Sequence, residues 1–304
     1  MTMAANNKKA VSVSLGSASR DKRVEIELLG KSVVMERLGT DGDPQRATTL
    51  FTALDGRVDA LGVGGIDLWV ELAGKRYPLY AAQKMVRGVA NTPVVDGTGL
   101  KNTLERHVVR NLVSQLGSEY AKGRVLLTAA VDRYGMTQSF YEAGYEVVCA
   151  DFMFSLGIPI PIRSLKRLKQ VGRLALPVVG RFPISFIYPT GDKQESIVPR
   201  YERWYQWANV IAGDCHYIKR HMPDDLEGKV IVTNTTTGDD MEAFRARGVR
   251  HVMTTTPRIE GRSFGTNMLE AALTAIAEKN RPLETQELQA LLDQLDIQPS
   301  VHTL

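Results

Sequence analysis

The chain has 304 residues, of which 43% are hydrophobic and 24% are charged, and its formal net charge is +4. These values are ordinary for a soluble globular protein, so they exclude a disordered or fibrous chain and give no charge footprint for nucleic-acid binding. Two cysteines, Cys149 and Cys215, are too few for a disulfide framework and favour a reducing compartment. The first ten residues lack the apolar core of a signal peptide, and no apolar run approaches the ~18 residues of a spanning helix. We therefore predict a soluble, cytoplasmic protein.

Residues 1–120 alternate between strand hairpins and strand–helix pairs, which predicts an α/β lobe with a mixed sheet. The clearest helix start is Asp43, a good capping residue, followed by Pro44 at the first helical position. Glycine-containing turns at residues 30–31 and 73–74 predict two hairpins. The predicted strands lie at residues 11–15, 23–29, 32–38, 58–62, 67–72, 75–79 and 92–95.

Residues 121–304 have strands that alternate with helices, the pattern of a doubly wound parallel sheet. This half opens at residues 124–151 with an apolar run, a helix that starts near Gly135, and a second run that ends at Asp151. Such a strand–helix–strand unit is right-handed with parallel strands. The six predicted strands lie at residues 124–130, 145–151, 184–188, 209–212, 229–233 and 251–255. The predicted fold class is α/β with two Rossmann-like lobes, divided near residues 117–123.

The loop of that opening unit carries part of a dinucleotide-binding fingerprint. Gly135 matches the third glycine of the pattern, and Asp151 matches the acidic residue about 20 positions downstream. The first two glycine positions hold Ala130 and Asp132, so a carboxylate would stand where a pyrophosphate normally meets bare backbone. The interpretation is NAD or NADP bound by Asp132, Gly135 and Asp151, and the alternative is that no nucleotide binds there.

Other polar residues follow the later predicted strands, where ligands bind in open parallel sheets. Asp214 and His216 follow one strand, which suggests an acid–base pair, and a merely hydrogen-bonded histidine is the alternative. Thr235 and Thr255 follow two further strands and suit an oxygen-rich ligand. No group of His, Cys and Asp has the spacing of metal ligands, so no metal is predicted.

Residues 254–273 combine a glycine-rich loop with an alanine- and leucine-rich helix. Arg262, Ser263, Gly265 and Thr266 precede or open that helix, whose unpaired amides could hold a phosphate or carboxylate together with the arginine. The alternative is ordinary capping of the helix by Thr266 and a surface ion pair of Arg262.

Residues 152–191 contain no Asp or Glu but six basic residues. At helical spacing, the basic residues between Arg163 and Arg173 share one side, and Leu168 and Leu176 share the other. A basic amphipathic helix of this kind can dock on an anionic surface such as the inner membrane or on a protein partner. The alternative is a crossover helix that packs on the protein with a solvated basic face.

Four stretches together resemble a bacterial family usually described as quinate 5-dehydrogenase. They are VSVSLGSASRDKRVEIELLG from residue 11, TPVVDGTGLKNTLERHVV from residue 92, IAGDCHYIKRHMP from residue 211 and TTTPRIEGRSFGTN from residue 254. The resemblance implies an NAD(P)-linked oxidoreductase of quinate/shikimate type that acts on a polyhydroxy carboxylate, with Asp96 and Lys101 transferring the proton.

Two other functions remain open from the sequence. One is a cofactor-independent enzyme or carrier that binds a polyanionic metabolite between the lobes, and the other is a docking protein that uses residues 152–191. A small anionic or polyhydroxylated metabolite is the predicted ligand, and a homo-oligomer is an alternative to a monomer.

Overall fold

The computed structural model describes residues 7–184, 197–259, 262–263 and 265–304.

The first lobe is built on a five-stranded sheet. The elements up to residue 120 are β1 (Lys8–Ser14), β2 (Lys22–Leu28), β3 (Lys31–Gly39), α1 (Pro44–Leu54), β4 (Ala60–Gly64), β5 (Trp69–Leu72), β6 (Lys75–Pro78), α2 (Tyr80–Val86), β7 (Val94–Val95), α3 (Thr98–Lys101) and α4 (Val108–Leu116).

The first sheet is mixed, as the sequence predicts. Its strand order is β2-β3-β1-β4-β7, with β1, β3, β4 and β7 parallel and β2 antiparallel to β3. The predicted start of α1 is confirmed, because the Asp43 carboxylate accepts hydrogen bonds from the amides of Gln45 (2.8 Å) and Arg46 (3.1 Å). Pro44 occupies the first turn, where its missing N–H costs nothing.

The second lobe is built on a six-stranded sheet. The remaining elements are β8 (Arg124–Leu127), α5 (Tyr134–Glu142), β9 (Glu146–Cys149), α6 (Asp151–Leu156), α7 (Leu165–Val179), α8 (Glu202–Trp207), β10 (Val210–Gly213), α9 (Cys215–His221), β11 (Val230–Thr233), α10 (Gly238–Arg245), β12 (His251–Thr254), β13 (Arg258–Ile259), β14 (Arg262–Ser263), α11 (Thr266–Ala277), α12 (Thr285–Gln294) and β15 (Ser300–Thr303).

Five strands of the second sheet are parallel, in the order β9-β8-β10-β11-β12. This is a doubly wound arrangement whose strand order reverses between β8 and β10, so the predicted α/β fold class is confirmed. The sixth strand differs from the prediction: β15 pairs antiparallel with β12 at the edge. The strand predicted at residues 184–188 falls almost wholly outside the described residues.

The chain returns to the first lobe near its end. Helices α11 and α12 pack on the first sheet, where Leu269 and Leu273 of α11 join one core with Ala10 and Met35 of the strands. The sequence predicts that residues 121–304 all belong to the second lobe, whereas α11 and α12 lie against the first sheet. The apolar pattern of an alanine- and leucine-rich helix is compatible with packing on either sheet. Only the tertiary contacts therefore show which sheet the helix covers.

The basic segment forms helix α7, and this helix packs on the hairpin of β5 and β6. Leu168, Gly172 and Leu176 are buried, and a Cβ built on Gly172 would lie 2.3 Å from Leu72 Cδ2. The apolar side of α7 is therefore used for contact with both lobes, because Leu176 joins a core of the first lobe and Leu168 joins the core of the second sheet. Within the described ranges, no helix has the length and apolarity needed to cross a membrane.

Gly135, at the start of α5, lies against the backbone of α3 in the first lobe. A Cβ at this position would stand 2.2 Å from the Lys101 carbonyl oxygen, which is a clash with main chain rather than with a movable side chain. The glycine thus permits the close approach of a second-lobe helix to a first-lobe helix.

Glu270, on α11, joins that helix to α3. One of its carboxyl oxygens accepts hydrogen bonds from the amides of Gly99 (3.0 Å) and Leu100 (3.4 Å), and its side chain is buried. Burial, followed by the charge of Asp96, raises the pKa of Glu270 to about 8. This carboxyl is therefore largely protonated at neutral pH.

We expect Gly135→Ala to lower the free energy of unfolding by about 1–3 kcal/mol, because the new methyl group must displace the α3 backbone. Urea denaturation of the variant against wild type measures the effect. Gly238→Ala is the matched control, since Gly238 also lies at a helix start but has open space around its Cβ position. Equal stability of the Gly135 variant and wild type would contradict the tight contact.

We expect Glu270→Gln to flatten the pH dependence of stability between about pH 4.5 and 8. The folded-state pKa is raised, so the stability linked to this carboxyl is present below about pH 4.5 and is lost as the pH rises through about 8. The difference should reach a few kcal/mol across this range, at ~1.4 kcal/mol per pKa unit. Denaturation curves at several pH values measure it, with Glu242→Gln as an exposed control. Parallel curves for wild type and the Glu270 variant would refute the raised pKa.

Candidate functional site

A cavity of about 770 Å³ lies between the two lobes. It is bounded by the carboxyl ends of β1 and β4 in the first sheet and by the residues that follow β8, β10 and β11 in the second. Loops at the carboxyl ends of parallel strands are where open α/β sheets bind ligands. Its hydroxyl-bearing residues are Ser12, Ser14, Ser19, Tyr217, Thr235, Thr236, Thr237 and Thr266.

Lys101 is the buried cation of this cavity. Its Nζ lies 2.8 Å from Asp67 Oδ2 in the first lobe and 2.8 Å from Asp132 Oδ1 in the second. Burial opposes the charge of Lys101, but Asp132 and Asp67 outweigh it and raise its pKa above the usual value. The ammonium group therefore stays protonated and cannot serve as a base at neutral pH.

The pKa values of the two carboxyls around Lys101 shift in opposite directions. Burial raises the pKa of Asp67 well above its ordinary value, and the neighbouring charge of Asp132 raises it further. Burial also opposes ionisation of Asp132, but the charge of Lys101 prevails and lowers the pKa of this carboxyl. The two carboxyls interact with each other, so they titrate as a pair.

Arg133 is a second buried cation next to the first. It donates to Glu105 Oε1 and, at 3.1 Å, to Asp214 Oδ2, and these two acids raise its pKa against the effect of burial. Asp214 Oδ2 also accepts from Asn234 Nδ2 (2.9 Å), while its Oδ1 caps α9 by accepting from the His216 amide (2.9 Å). Both Asp214 oxygens are thus engaged, and the predicted acid–base pair with the His216 ring is not formed.

The His216 ring instead meets Arg20 of the first lobe, with Nη1 of the arginine 2.9 Å from Nε2 of the histidine. A guanidinium group can only donate, so Nε2 must accept and the ring is neutral. Burial lowers the pKa of His216, consistent with this assignment. The contact connects the two lobes across the cavity.

Asp96 lines the cavity but has a positioning role. Its Oδ2 accepts from the amides of Leu68 (2.7 Å) and Trp69 (3.3 Å), and its Oδ1 accepts from the amide of Thr98 (2.9 Å). These bonds fix the segment that carries Asp67 next to the helix that carries Lys101. The structure therefore brings Asp96 and Lys101 to one cavity, as predicted, but joins Lys101 to other carboxylates.

The start of α11 also reaches the cavity, through Gly265 and Thr266. Gly265 is the capping residue and no side chain caps this helix, so the alternative in which Thr266 caps it is not realised. Thr266 packs on the turn at Gly97, where a Cβ would lie 2.4 Å from its Oγ1. The side chains of Arg262 and Ser263 lie outside the described part of the structure, and their predicted role stays a prediction.

The fingerprint residues do not fit a dinucleotide at the turn between β8 and α5. Asp132 binds Lys101, and Gly135 faces the Lys101 carbonyl, so first-lobe atoms fill the space at the start of α5. Asp151 Oδ1 accepts from the Val131 amide (2.8 Å), and burial raises the pKa of Asp151 to about 6. Gly135 and Asp151 do not line the cavity, and Asp132 lines it as part of the charge cluster.

Of the two threonines predicted at strand ends, Thr235 lines the cavity, whereas Thr255 is fully buried behind it. Among the described residues, no group of three or more His, Cys, Asp or Glu could hold a metal ion.

Two residues of the cluster were not predicted as site residues: Asp67 and Glu105. Arg133 was expected among the polar residues that follow the strands of the second lobe. Asp67 is 34 residues from Lys101 along the chain, and Asp132 is 31 residues from it. At these separations no local sequence motif indicates that the side chains are in contact. Asp67 does follow the apolar strand β4, and this position alone could have identified it as a strand-end residue.

Comparison with solved structures gives remote likenesses only. The NAD-dependent malic enzyme of Thermotoga maritima is 14% identical, with 93% of this chain and 75% of that chain covered and a TM-score of 0.40. GanP, a glucose-galactose binding protein of Geobacillus stearothermophilus, is 9% identical, with 97% of each chain covered and a TM-score of 0.37. A solute-binding protein of Burkholderia graminis in complex with D-arabinose is 7% identical, with 99% and 97% covered and a TM-score of 0.36. At these scores the likenesses carry no argument about activity or ligand.

Among curated proteins, no sequence matches this chain significantly. Two family models match it in succession. Residues 9–96 match the domain of unknown function DUF8753, and residues 99–304 match the domain of unknown function DUF8754. Because the second match covers more than half of its length, the chain belongs to the DUF8754 family.

Proposed function

We propose that this protein is a cofactor-independent enzyme that transfers protons on a small polyhydroxylated metabolite bound between its lobes. The observation that carries the proposal is the cluster of Asp67, Lys101 and Asp132, in which one carboxyl from each lobe lies 2.8 Å from the same buried ammonium group. All three residues line the interlobe cavity.

Asp67 is the proton-transferring group in this proposal. A carboxyl whose pKa is raised above its ordinary value can give a proton to a substrate oxygen and take one back, as general acid–base catalysis requires. Lys101 uses two of its three N–H donors on the carboxyls, and the third can stabilise negative charge on the substrate. Isomerisation of a hydroxy-ketone needs no oxidant here: Asp132 takes a proton from the carbon beside the carbonyl while Asp67 protonates the carbonyl oxygen, which gives an enediol. Asp132 then returns its proton to the former carbonyl carbon as Asp67 takes the proton of the other hydroxyl, so both carboxyls are regenerated.

The lining of the cavity supports a polyhydroxylated substrate. Serine and threonine hydroxyls come from both lobes, for example Ser12 and Ser14 from β1 and Thr235 and Thr237 from the loop after β11. A volume of about 770 Å³ lies within the usual range for small-molecule sites, ~300–1,000 Å³. Quinate-like carboxylates are the first candidates, on the strength of the sequence resemblance.

Two other functions were predicted from the sequence: an NAD(P)-linked oxidoreductase and docking through residues 152–191. The NAD(P)-linked oxidoreductase is less well supported, because first-lobe atoms fill the turn that would hold the pyrophosphate. Docking through residues 152–191 would have to use the solvent side of α7, where Leu174 is 79% exposed, since the opposite side packs on both lobes.

We expect Asp67→Asn to lower catalysed proton exchange on the substrate by roughly 10²–10⁴-fold, the usual contribution of a general acid–base group. The assay is incorporation of solvent deuterium at the carbon beside the ring carbonyl of dehydroquinate or dehydroshikimate, the keto forms of quinate and shikimate, followed by NMR without added cofactor. Asp224→Asn is the control, because Asp224 is 91% exposed and remote from the cavity. Exchange at the wild-type rate in the Asp67 variant, or none in the wild type, would count against proton transfer by Asp67.

We expect NADH and NADPH to cause no saturable change in tryptophan fluorescence up to millimolar concentration. The three tryptophans include Trp69, whose backbone amide donates to Asp96 at the cavity. The reason is the filled turn at Gly135, which leaves no space for a pyrophosphate. Saturation at micromolar nucleotide would refute the cofactor-independent enzyme and favour the oxidoreductase.

A further inference from the structure

Two arginines of the first lobe line the same cavity as the proton-transfer cluster. Arg37 lies near the end of β3, and Arg20 lies in the short helical turn that follows β1. Neither arginine was predicted as a site residue, because each is an isolated basic residue in a segment with the pattern of a strand or a loop.

Arg37 is held in a fixed position. Its Nη1 donates to Asp21 Oδ1 (2.7 Å) and to the Ser17 carbonyl (2.9 Å), and its Nη2 donates to Ser14 Oγ (3.0 Å). Burial, followed by the positive charge of Arg20, lowers the pKa of Arg37 despite the Asp21 carboxylate. The two guanidinium groups are therefore close enough to repel each other when no anion lies between them.

Arg20 has N–H donors that are not used in its hydrogen bond to His216. Its hydrogen bond goes to the neutral ring of His216, and among the described residues no carboxylate forms an ion pair with it. A guanidinium group has five N–H donors in a planar fork that matches a carboxylate or a phosphate. The remaining donors of this half-buried side chain are available at the cavity wall.

We propose that Arg20 and Arg37 form the subsite for an anionic group of the substrate, a carboxylate or a phosphate. This inference rests on the proposed function, in that the same cavity holds the molecule whose hydroxylated body meets Lys101. An anion between the two guanidinium groups removes their mutual repulsion and receives charge-assisted hydrogen bonds from both. The substrate class is accordingly a polyhydroxylated molecule that carries a carboxylate or phosphate group.

The position of Arg20 adds a link to the second lobe. Because its Nη1 contacts His216, an anion held by Arg20 is tied to the first turn of α9 as well as to the first lobe. The subsite therefore favours the arrangement of the lobes in which Asp67 and Asp132 face each other across Lys101.

The test is calorimetric titration of the full chain with inorganic phosphate and, separately, with malonate. We expect Arg20→Gln to weaken binding roughly 10-fold or more, the effect of losing one charge-assisted hydrogen bond, and Arg20→Lys to weaken it less. The matched control is Arg23→Gln, which removes the same charge from an exposed position on β2 outside the cavity. Tighter binding of one of the two anions identifies the group that the subsite prefers.

Wild-type protein that binds neither anion, or an Arg20→Gln variant that binds both as tightly as wild type, would overturn the subsite. Asp67→Asn separates this inference from the proposed function, because it should abolish deuterium exchange and leave phosphate and malonate binding within about twofold. Anion binding that depends on Arg20 without any exchange activity would leave the subsite standing and refute the enzyme.

Discussion

The two lobes meet around one buried positive charge, the ammonium group of Lys101. An isolated ammonium group in a protein interior is strongly unfavourable, and removing one partner of a buried ion pair typically costs ~3–5 kcal/mol. Lys101 avoids this cost only when Asp67 of the first lobe and Asp132 of the second lie at 2.8 Å on either side of it. The electrostatics of this residue thus favours the placement in which both carboxylates reach it, together with the contacts of Gly135 on α3 and of Arg20 with His216, while the apolar cores on each sheet hold the lobes themselves together.

The same principle repeats at Arg133, whose guanidinium lies between Glu105 and Asp214. Two buried cations with carboxylates on both sides account for the lost glycines of the dinucleotide fingerprint. Asp132 is required as a counter-ion, and Gly135 is required because the Lys101 carbonyl leaves no space for a Cβ. The turn between β8 and α5 is where dinucleotide-binding sheets hold a pyrophosphate, and in this protein it packs against helix α3. The candidate site lies instead in the cleft between the two sheets.

The sequence predicted what depends on local or periodic patterns. The start of α1 at Asp43 and Pro44, the mixed first sheet and the parallel strands of the second sheet all have such signals, and all are found. The packing of α11 on the first sheet and the antiparallel edge strand β15 have none, because each depends on contacts with residues far away in the chain. For the site, Asp132 came from its position after a predicted strand, whereas Asp96 and Lys101 came from the family resemblance, and neither source indicated the contact between Lys101 and Asp132.

Residue type alone does not give the contacts of a side chain. Asp214 and His216 have the residue types of an acid–base pair, yet the Asp214 carboxylate accepts hydrogen bonds from Arg133, Asn234 and a backbone amide. Asp67 has no such motif, and its raised pKa comes from burial and from Asp132 on the other lobe. The contribution of Asp132 exists only when the lobes are together, so this part of the shift is a property of the tertiary arrangement. A change that separates the lobes would remove it and bring the pKa of Asp67 closer to its ordinary value.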